Sequence, residues 1–338
     1  MDGLVRIASA AERADTARAH AAAAPHVKLR RIGGNIGAEI EGVHLGRLTD
    51  AEFAVVHDAL IEHQVIVLRG QDITTDHQMD FGRRFGELSI HPFSPNLDDK
   101  REVIILDNGE NNPPHLTDQW HADETFRARP PLGTILRSHV SPDIGGDTLF
   151  SSMMAAYTGL SPRMKAHIHG MEALHDWKPW RGLFTSAEEH QRKLRQLEAA
   201  WPMVWHPVVR VHPVSGRRIL NVSAQFVLRL KDVPADESEL LLQYLYRRAA
   251  IPEYQCRVRW EPNTVVMWDN RSVQHYAAHD YYPQRRTMER VTVAGDPVLG
   301  VAGNYLPEDG AGKLPDGKGA TIAPPGKRPI REFERDLK

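Results

Sequence analysis

The sequence holds a single cysteine, Cys256, in 338 residues. That scarcity excludes a disulfide framework and a cysteine-rich zinc module, and it suits a reducing compartment. Long apolar runs are missing too: no stretch approaches the roughly 18–20 consecutive apolar residues of a membrane span. Formal net charge is only −2, with 42 Lys and Arg against 44 Asp and Glu. A balance so close to zero offers no bulk attraction to nucleic acid or to an acidic membrane surface, which leaves a small molecule as the expected partner. There is no GxGxxG fingerprint, no phosphate-binding P-loop and no internal repeat. The 41% hydrophobic and 25% charged residues describe an ordinary globular chain, long enough for one large domain or two small ones.

The first 26 residues are rich in alanine and arginine. Asp2, Glu12 and Asp15 argue against a transit peptide, which would be poor in acids, and no signal-peptide apolar core is present. The expectation is a frayed helical extension on a cytoplasmic protein. Short β-branched runs dominate between Val27 and Ala294: NIGAEIEGVHL (35–45), QVIVLRG (64–70), EVIILDN (102–108), GTILRSHV (133–140), HPVVRVHP (206–213), RRILNVS (217–223), NTVVMWDN (263–270) and RVTVAG (290–295). Gly, Pro, Asn and Asp punctuate them, as they do strands. Helical stretches are expected after Thr49 and Asp50, both N-cap types, and near 150–172, 186–199 and 235–249. Strands and helices do not alternate regularly, which disfavours a Rossmann fold. A mostly β domain over 27–300 is expected, a barrel or double-sheet jelly roll with covering helices. Residues 301–338 are rich in Gly, Pro and Lys; they cannot bury a core and read as a tail.

Within Trp120-His121-Ala122-Asp123, an extended backbone projects His121 and Asp123 from the same face, where imidazole and carboxylate form two corners of a metal site. With 18 His and 44 Asp and Glu in the chain, about two His-x-acid pairs would arise by chance, so this pair alone reads sooner as a surface contact than as a metal site. The second half of the pattern is WDNRSVQHYAAHDYYPQRRTMERVTVAG (268–295). There an apolar strand ends in the turn pair Asp269-Asn270 and returns through His275 toward a strand starting near Arg290. Arg286 and Arg290 sit four residues apart. A lone arginine is usually a solvated charge, but this arrangement favours capture of carboxylate or sulfonate groups by the planar guanidinium fork. His275 lies 152 positions beyond Asp123. Two ligands near in sequence and one distant describe a two-histidine, one-carboxylate facial triad with three open positions, suited to iron(II), a chelating 2-oxo acid and O2. Structural zinc would need a closed shell of four ligands.

IGAEIEGVHL, VIVLRGQ, FGRRFGELSIHP, WHADETF, GGDTLF, HPVVRVHPVSGRR, WDNRSVQHYA and DYYPQRRTMERVTVAGD occur in this order. In them the chain resembles the taurine dioxygenase/TfdA-like family of Fe(II)/2-oxoglutarate-dependent dioxygenases. The resemblance implies a double-stranded β-helix (a cupin-like jelly roll) with iron held by His121, Asp123 and His275. It implies that Thr148 and Arg286 bind 2-oxoglutarate, and that His91 and Arg290 meet the anionic end of the substrate. It further implies decarboxylation of 2-oxoglutarate to succinate with O2 as co-substrate, hydroxylation of a sulfonate, sulfate ester or aryloxy or carboxylic acid, and a homo-oligomer, dimer or tetramer.

Two departures bear on the substrate. Ser94 stands where taurine dioxygenases carry tyrosine, and Thr117 where they carry asparagine, so taurine itself is disfavoured. The segment HDWKPWRGLF (175–184) places Trp177, Trp180 and Arg181 in a region bordering the substrate in relatives. Trp180 and Arg181 are candidate contacts to a larger or aromatic anion; a lid or a subunit contact explains the segment as well. Two other classes compete with the dioxygenase. A metal-dependent hydrolase would want an HExxH base and no paired arginines, and a non-catalytic relative should have lost a ligand.

Overall fold

The structure is a computed structural model that describes residues 7–93, 96–181 and 184–301. Residues 1–6, Ser94, and all of the expected tail beyond Val301 lie outside the described residues.

Strand Val265–Asp269 is buried at every position. It runs antiparallel between Val65–Leu68 and Gly133–Val140 in an eight-stranded sheet. A strand covered on both faces has no place for polar alternation, which is why VVMW and VIVL read as unbroken apolar runs. The side chains still alternate, and they feed two cores. Ile66, Leu68, Ile135, Val265 and Met267 pack with Val56, Ala59 and Leu60 of helix Asp50–His63, whose Thr49 and Glu52 form a capping box. Val65, Val67, Leu136, Val266, Trp268 and Met288 instead meet Phe150, Cys256, Val258 and Val273. Those last four belong to a smaller antiparallel sheet in which Thr148–Ser152 lies between Gln255–Val258 and Val273–Ala277. The two facing sheets form the jelly roll. A further core joins helices Met153–Thr158 and Ala235–Tyr246 to the hairpin Val209–Val211/Arg218–Leu220.

Several expected elements change on folding. The stretch 150–172 is not one helix. Thr148–Ser152 is a strand, and the helical part splits into Met153–Thr158 and Pro162–His167 around Gly159 and Ser161-Pro162, because proline is tolerated only in the first helical turn. Helix Thr75–Arg83 was not foreseen; it is mostly polar and shows only one buried face, Gln78, Met79, Phe81 and Gly82. In the N-terminal region, Ala10–Ala23 is a capped helix whose His20 Nδ1 lies 2.6 Å from Asp58 Oδ2 of helix Asp50–His63.

The last strand begins at Arg286 and not near Arg290. It runs Arg286–Val293 between Val103–Asn108 and Gly133–Val140. Arg286, Met288 and Arg290 therefore share one face, the inner one. At about 3.3 Å per residue the two arginines stand roughly 13 Å apart along the strand.

Candidate metal centre and its pocket

Two histidines meet across an isolated bridge. His121 N–H donates to the His275 carbonyl (3.1 Å) and His275 N–H to the His121 carbonyl (2.8 Å), setting the ring centroids 4.1 Å apart. His275 belongs to strand Val273–Ala277, but the His121–Asp123 segment is no regular strand: Asp123 opens a turn. The expected strand alternation is thus corrected. A side chain from elsewhere sets the turn. Asp123 N–H donates to Asn270 Oδ1 (2.6 Å), and Asn270 Nδ2 donates to the carbonyls of Asp123 (2.9 Å) and Pro131 (3.3 Å). Thr134 Oγ1 then orients the carboxylate by donating to Asp123 Oδ2 (2.7 Å).

The outcome is a cluster of one ligand atom each from His121, Asp123 and His275, all within 4.8 Å of one another and all on buried residues. Both Nε2 atoms lie 3.9 Å from Asp123 Oδ1. Burial pushes the His121 imidazole below its ordinary value and takes His275 down to about 3, the second with help from His121. Burial also works against the Asp123 carboxylate, but Arg290, both histidines and Thr134 outweigh it and hold the carboxyl well below the usual range. Two neutral imidazoles and one carboxylate are the protonation states that ligate a divalent metal. His121 Nδ1 faces the Gln119 carbonyl at 2.7 Å. A carbonyl only accepts, so the proton sits on Nδ1 and the Nε2 lone pair faces the centre. The donor set fits a hard, borderline divalent ion such as iron(II).

A cavity of about 220 Å³ opens from this cluster, lined by His121, His275, Thr148, Trp268, Arg286 and Arg290 among others. At its far end Arg286 is buried, with Nη2 3.4 Å from Thr148 Oγ1. Trp260 Nε1 donates to the same hydroxyl oxygen at 3.0 Å. Burial lowers the guanidinium's affinity for its proton, opposed by Tyr281, and its Nε finds no hydrogen-bond partner among the described residues. A buried, under-satisfied guanidinium facing a cavity calls for an anion. Arg290 stands at the near end, Nη2 3.3 Å from Asp123 Oδ2 and 3.5 Å from Glu124 Oε1.

Of the remaining candidates, His91 is buried and its Nδ1 accepts from the Phe93 N–H (3.1 Å). Burial, reinforced by Arg290, takes it down to about 3. Trp180 stacks on Phe226 (17°, 5.7 Å) and Phe93 (26°, 5.2 Å) and meets His91 edge-on at 5.7 Å. Phe226 in turn lies 6.4 Å from the His121 ring, so an aromatic wall runs from the metal ligands to His91. Arg181 is brought elsewhere. Its guanidinium grips Asp176 through Nε (2.8 Å) and Nη2 (3.0 Å), pairs with Glu198 and covers Trp177 at 4.3 Å. Trp177 is fully buried, its Nε1 donating to the Trp201 carbonyl. Thr117 Oγ1 lies 2.8 Å from His279 Nε2 at the cavity lining.

Sequence reasoning missed Asn270, taken for a turn residue, and Glu124, which no local pattern marks. It also missed a buried cluster beneath the turn. Asp269 accepts from Arg271 Nε (2.8 Å) and Nη2 (2.7 Å) and lies 2.8 Å from His212 Nε2. Burial alone would raise its pKa, yet Arg271 and His212 hold it far below the ordinary value. The Asp-Asn-Arg run at 269–271 was the available signal, since charged residues at the end of a buried strand need partners.

Comparison with known proteins gives a consistent result. A model of the taurine catabolism dioxygenase TauD, TfdA family matches residues 28–292. An α-ketoglutarate-dependent sulfate ester dioxygenase of Pseudomonas putida is 36% identical over 292 residues, covering 83% of this chain and 95% of that protein. An alkylsulfatase of Acinetobacter baylyi is 34% identical, covering 84% of this chain and 91% of its own. Among solved structures, a putative α-ketoglutarate-dependent taurine dioxygenase from Burkholderia xenovorans superposes with a TM-score of 0.70 at 30% identity, covering 81% and 94% of the two chains.

Proposed function

Because the chain belongs to the taurine catabolism dioxygenase TauD/TfdA family, and is thus an Fe(II)- and 2-oxoglutarate-dependent dioxygenase, we propose a specific division of labour within its cavity. His121, Asp123 and His275 hold the iron; Arg286 and Thr148 take the distal carboxylate of 2-oxoglutarate; Arg290, His91 and Trp180 meet the substrate. The substrate is a small organic anion of the sulfate ester, sulfonate or aryloxy or carboxylic acid type. One oxygen atom of O2 enters its C–H bond and the other enters succinate, with release of CO2.

The observation that carries this reading is one cavity lined together by His121 and His275 of the three-ligand cluster, by Arg290, and by the buried Arg286–Thr148 pair. Iron held by His121, Asp123 and His275 would supply the activation of O2. The protein's own contributions are distinct. Asn270 and Thr134 orient Asp123, the Gln119 carbonyl sets the His121 tautomer, Arg286 orients the co-substrate by its fork, and Phe226 and Trp180 keep water from the reacting carbon. Arg181, paired with Asp176 through Nε and Nη2 and with Glu198 through Nη1, covers Trp177 under this wall. A cytoplasmic location, supported by the single cysteine, and a homo-oligomeric state belong to the same reading; light scattering on the eluted protein tests the second.

Anaerobic addition of iron(II), then 2-oxoglutarate, should produce visible charge-transfer absorption. His121→Ala and Asp123→Ala should abolish it while far-UV circular dichroism stays native. A folded wild-type protein without the band would refute the dioxygenase reading.

A further inference from the structure

Glu124 follows directly on the ligand Asp123 and is buried. Its backbone sits at φ +50°, in the left-handed region that side-chain-bearing residues seldom adopt, and such positions persist where surroundings over-determine them. Here the determinant is Arg127, whose Nε donates to Glu124 Oε2 (2.7 Å) with Nη2 in ion-pair contact at 2.6 Å, while its Nη2 donates to the Ile90 carbonyl (2.8 Å). Fixed by that fork, the other oxygen, Oε1, points between Arg290 Nη2 (3.5 Å) and His91 Nε2 (3.9 Å). These are the two groups assigned above to the substrate's anionic end.

The local hydrogen bonding sets what can dock there. His91 Nδ1 accepts from Phe93 N–H, so the neutral ring carries its proton on Nε2 and offers a donor. At 3.9 Å that donor is too far from Glu124 Oε1 to be satisfied by it. Arg290 is held by Thr292 through Nε (3.1 Å), and its contacts to Asp123 and Glu124 are longer than a charge-assisted bond. Arg290 lines the cavity, and Glu124 and His91 stand directly behind it, so that two donors and one carboxyl acceptor lie side by side. Sulfonates and sulfate monoesters carry only acceptor oxygens, and any such oxygen reaching Arg290 and His91 also meets Glu124 Oε1, acceptor against acceptor.

We propose that Glu124 is the specificity-determining residue of this enzyme, and that it selects a carboxylate flanked by a hydrogen-bond donor, as in a 2-amino or 2-hydroxy acid, over a bare sulfate or sulfonate. The carboxylate meets Arg290 and His91, and the neighbouring ammonium or hydroxyl donates to Glu124 Oε1. This rests on the placement of the substrate at Arg290 and His91, and it narrows the anion class to one with its own donor. A site built to pair a polar group discriminates against analogues that lack it, and it discriminates also by repulsion.

The test uses the full chain loaded anaerobically with iron(II) and 2-oxoglutarate. Hexanoate, 2-aminohexanoate, 2-hydroxyhexanoate, hexyl sulfate and hexanesulfonate are titrated in by calorimetry, with 3-phenylpropyl counterparts of each, while the charge-transfer band is monitored. The expected result is that amino or hydroxy acids bind at least about tenfold tighter than the plain acids and the sulfates. Glu124→Gln should shrink that ratio to within about threefold, and the double variant Glu124→Val/Arg127→Leu, which leaves no orphaned charge, should invert it in favour of hexyl sulfate. A purely structural Glu124 would lower stability and leave the ratio unmoved. Sulfates or sulfonates binding wild type as tightly as the donor-bearing acids, no binding by any of the acids, or a ratio insensitive to both variants would overturn the proposal. Absence of the band in wild type would instead overturn the dioxygenase reading beneath it.

Discussion

Asn270 offers the sharpest test of how the metal centre is built, because it touches no ligand atom and holds one ligand's backbone from both sides. In Asn270→Ala the Asp123 N–H loses its 2.6 Å acceptor, and the Asp123 and Pro131 carbonyls lose donors at 2.9 and 3.3 Å. Each buried group left unsatisfied costs about 1–3 kcal/mol, so the two Asp123 groups alone set a range of about 2–6 kcal/mol. A cavity of about 10 Å³, partly lined by Asn270, adjoins the site and has room for about one water molecule. The vacated amide volume adds to it, and a water entering there re-pairs part of the backbone. The expected loss of stability is therefore in the lower half, about 2–3 kcal/mol by urea unfolding with an unchanged m-value. Water restores hydrogen bonds without restoring geometry. Affinity for Mn(II), measured calorimetrically as a redox-silent probe, should fall about 10–100-fold. Asn270→Asp, nearly isosteric, keeps the acceptor for Asp123 N–H but turns an oxygen toward two carbonyls and should rescue neither quantity. Mn(II) affinity within about twofold of wild type in Asn270→Ala, with a stability change below about 0.5 kcal/mol, would refute the reasoning.

Three further outcomes follow from the same structure. Arg286→Ala should weaken 2-oxoglutarate by about 2–5 kcal/mol, read from the midpoint of the charge-transfer titration, with Arg286→Lys recovering only part because a point charge replaces a fork; an unchanged midpoint removes Arg286 from the co-substrate site. His175 and His212 are both held below their ordinary value by burial, His175 strongly, with like charges adding at His175 and Asp269 opposing at His212. Since the unfolded chain takes up these protons and the folded one resists them, stability should be level above about pH 6.5 and decline as pH falls below it. Urea midpoints that stay flat from pH 7 to pH 5 would contradict this. Burial pushes the Cys256 thiol up to about 12, so it should resist Ellman's reagent in the native protein and react stoichiometrically in denaturant; rapid native labelling would show the Gly37–Cys256 packing to be open.

Much of this was legible in the residues. The apolar runs VIVL and VVMW announced strands, and Thr49 with Asp50 announced a helix start, because burial and capping act over a few neighbours. His121, Asp123 and His275 could be named from residue type and order, since metal chemistry admits few side chains. The error over residues 150–172 arose where apolar content fitted helix and strand equally; pairing of Thr148–Ser152 on both sides settled it in favour of a strand there.

Sequence by itself thus determined a mostly β domain and the metal-ligating residue types, which depend on local periodicity and on chemistry that few side chains can do, while the family and the choice of jelly roll over barrel followed from the resemblance of its ordered motifs. Tertiary structure alone decided how those residues are held and what surrounds them. Only folding brings Asn270 across 147 positions to Asp123, commits Arg181 to Asp176 instead of the cavity, and sets Glu124 against Arg290 and His91. A charged or amide side chain finds its partner through space, at a distance and angle that the linear order does not encode, and the partner decides whether it orients a ligand, buttresses a wall or selects a substrate.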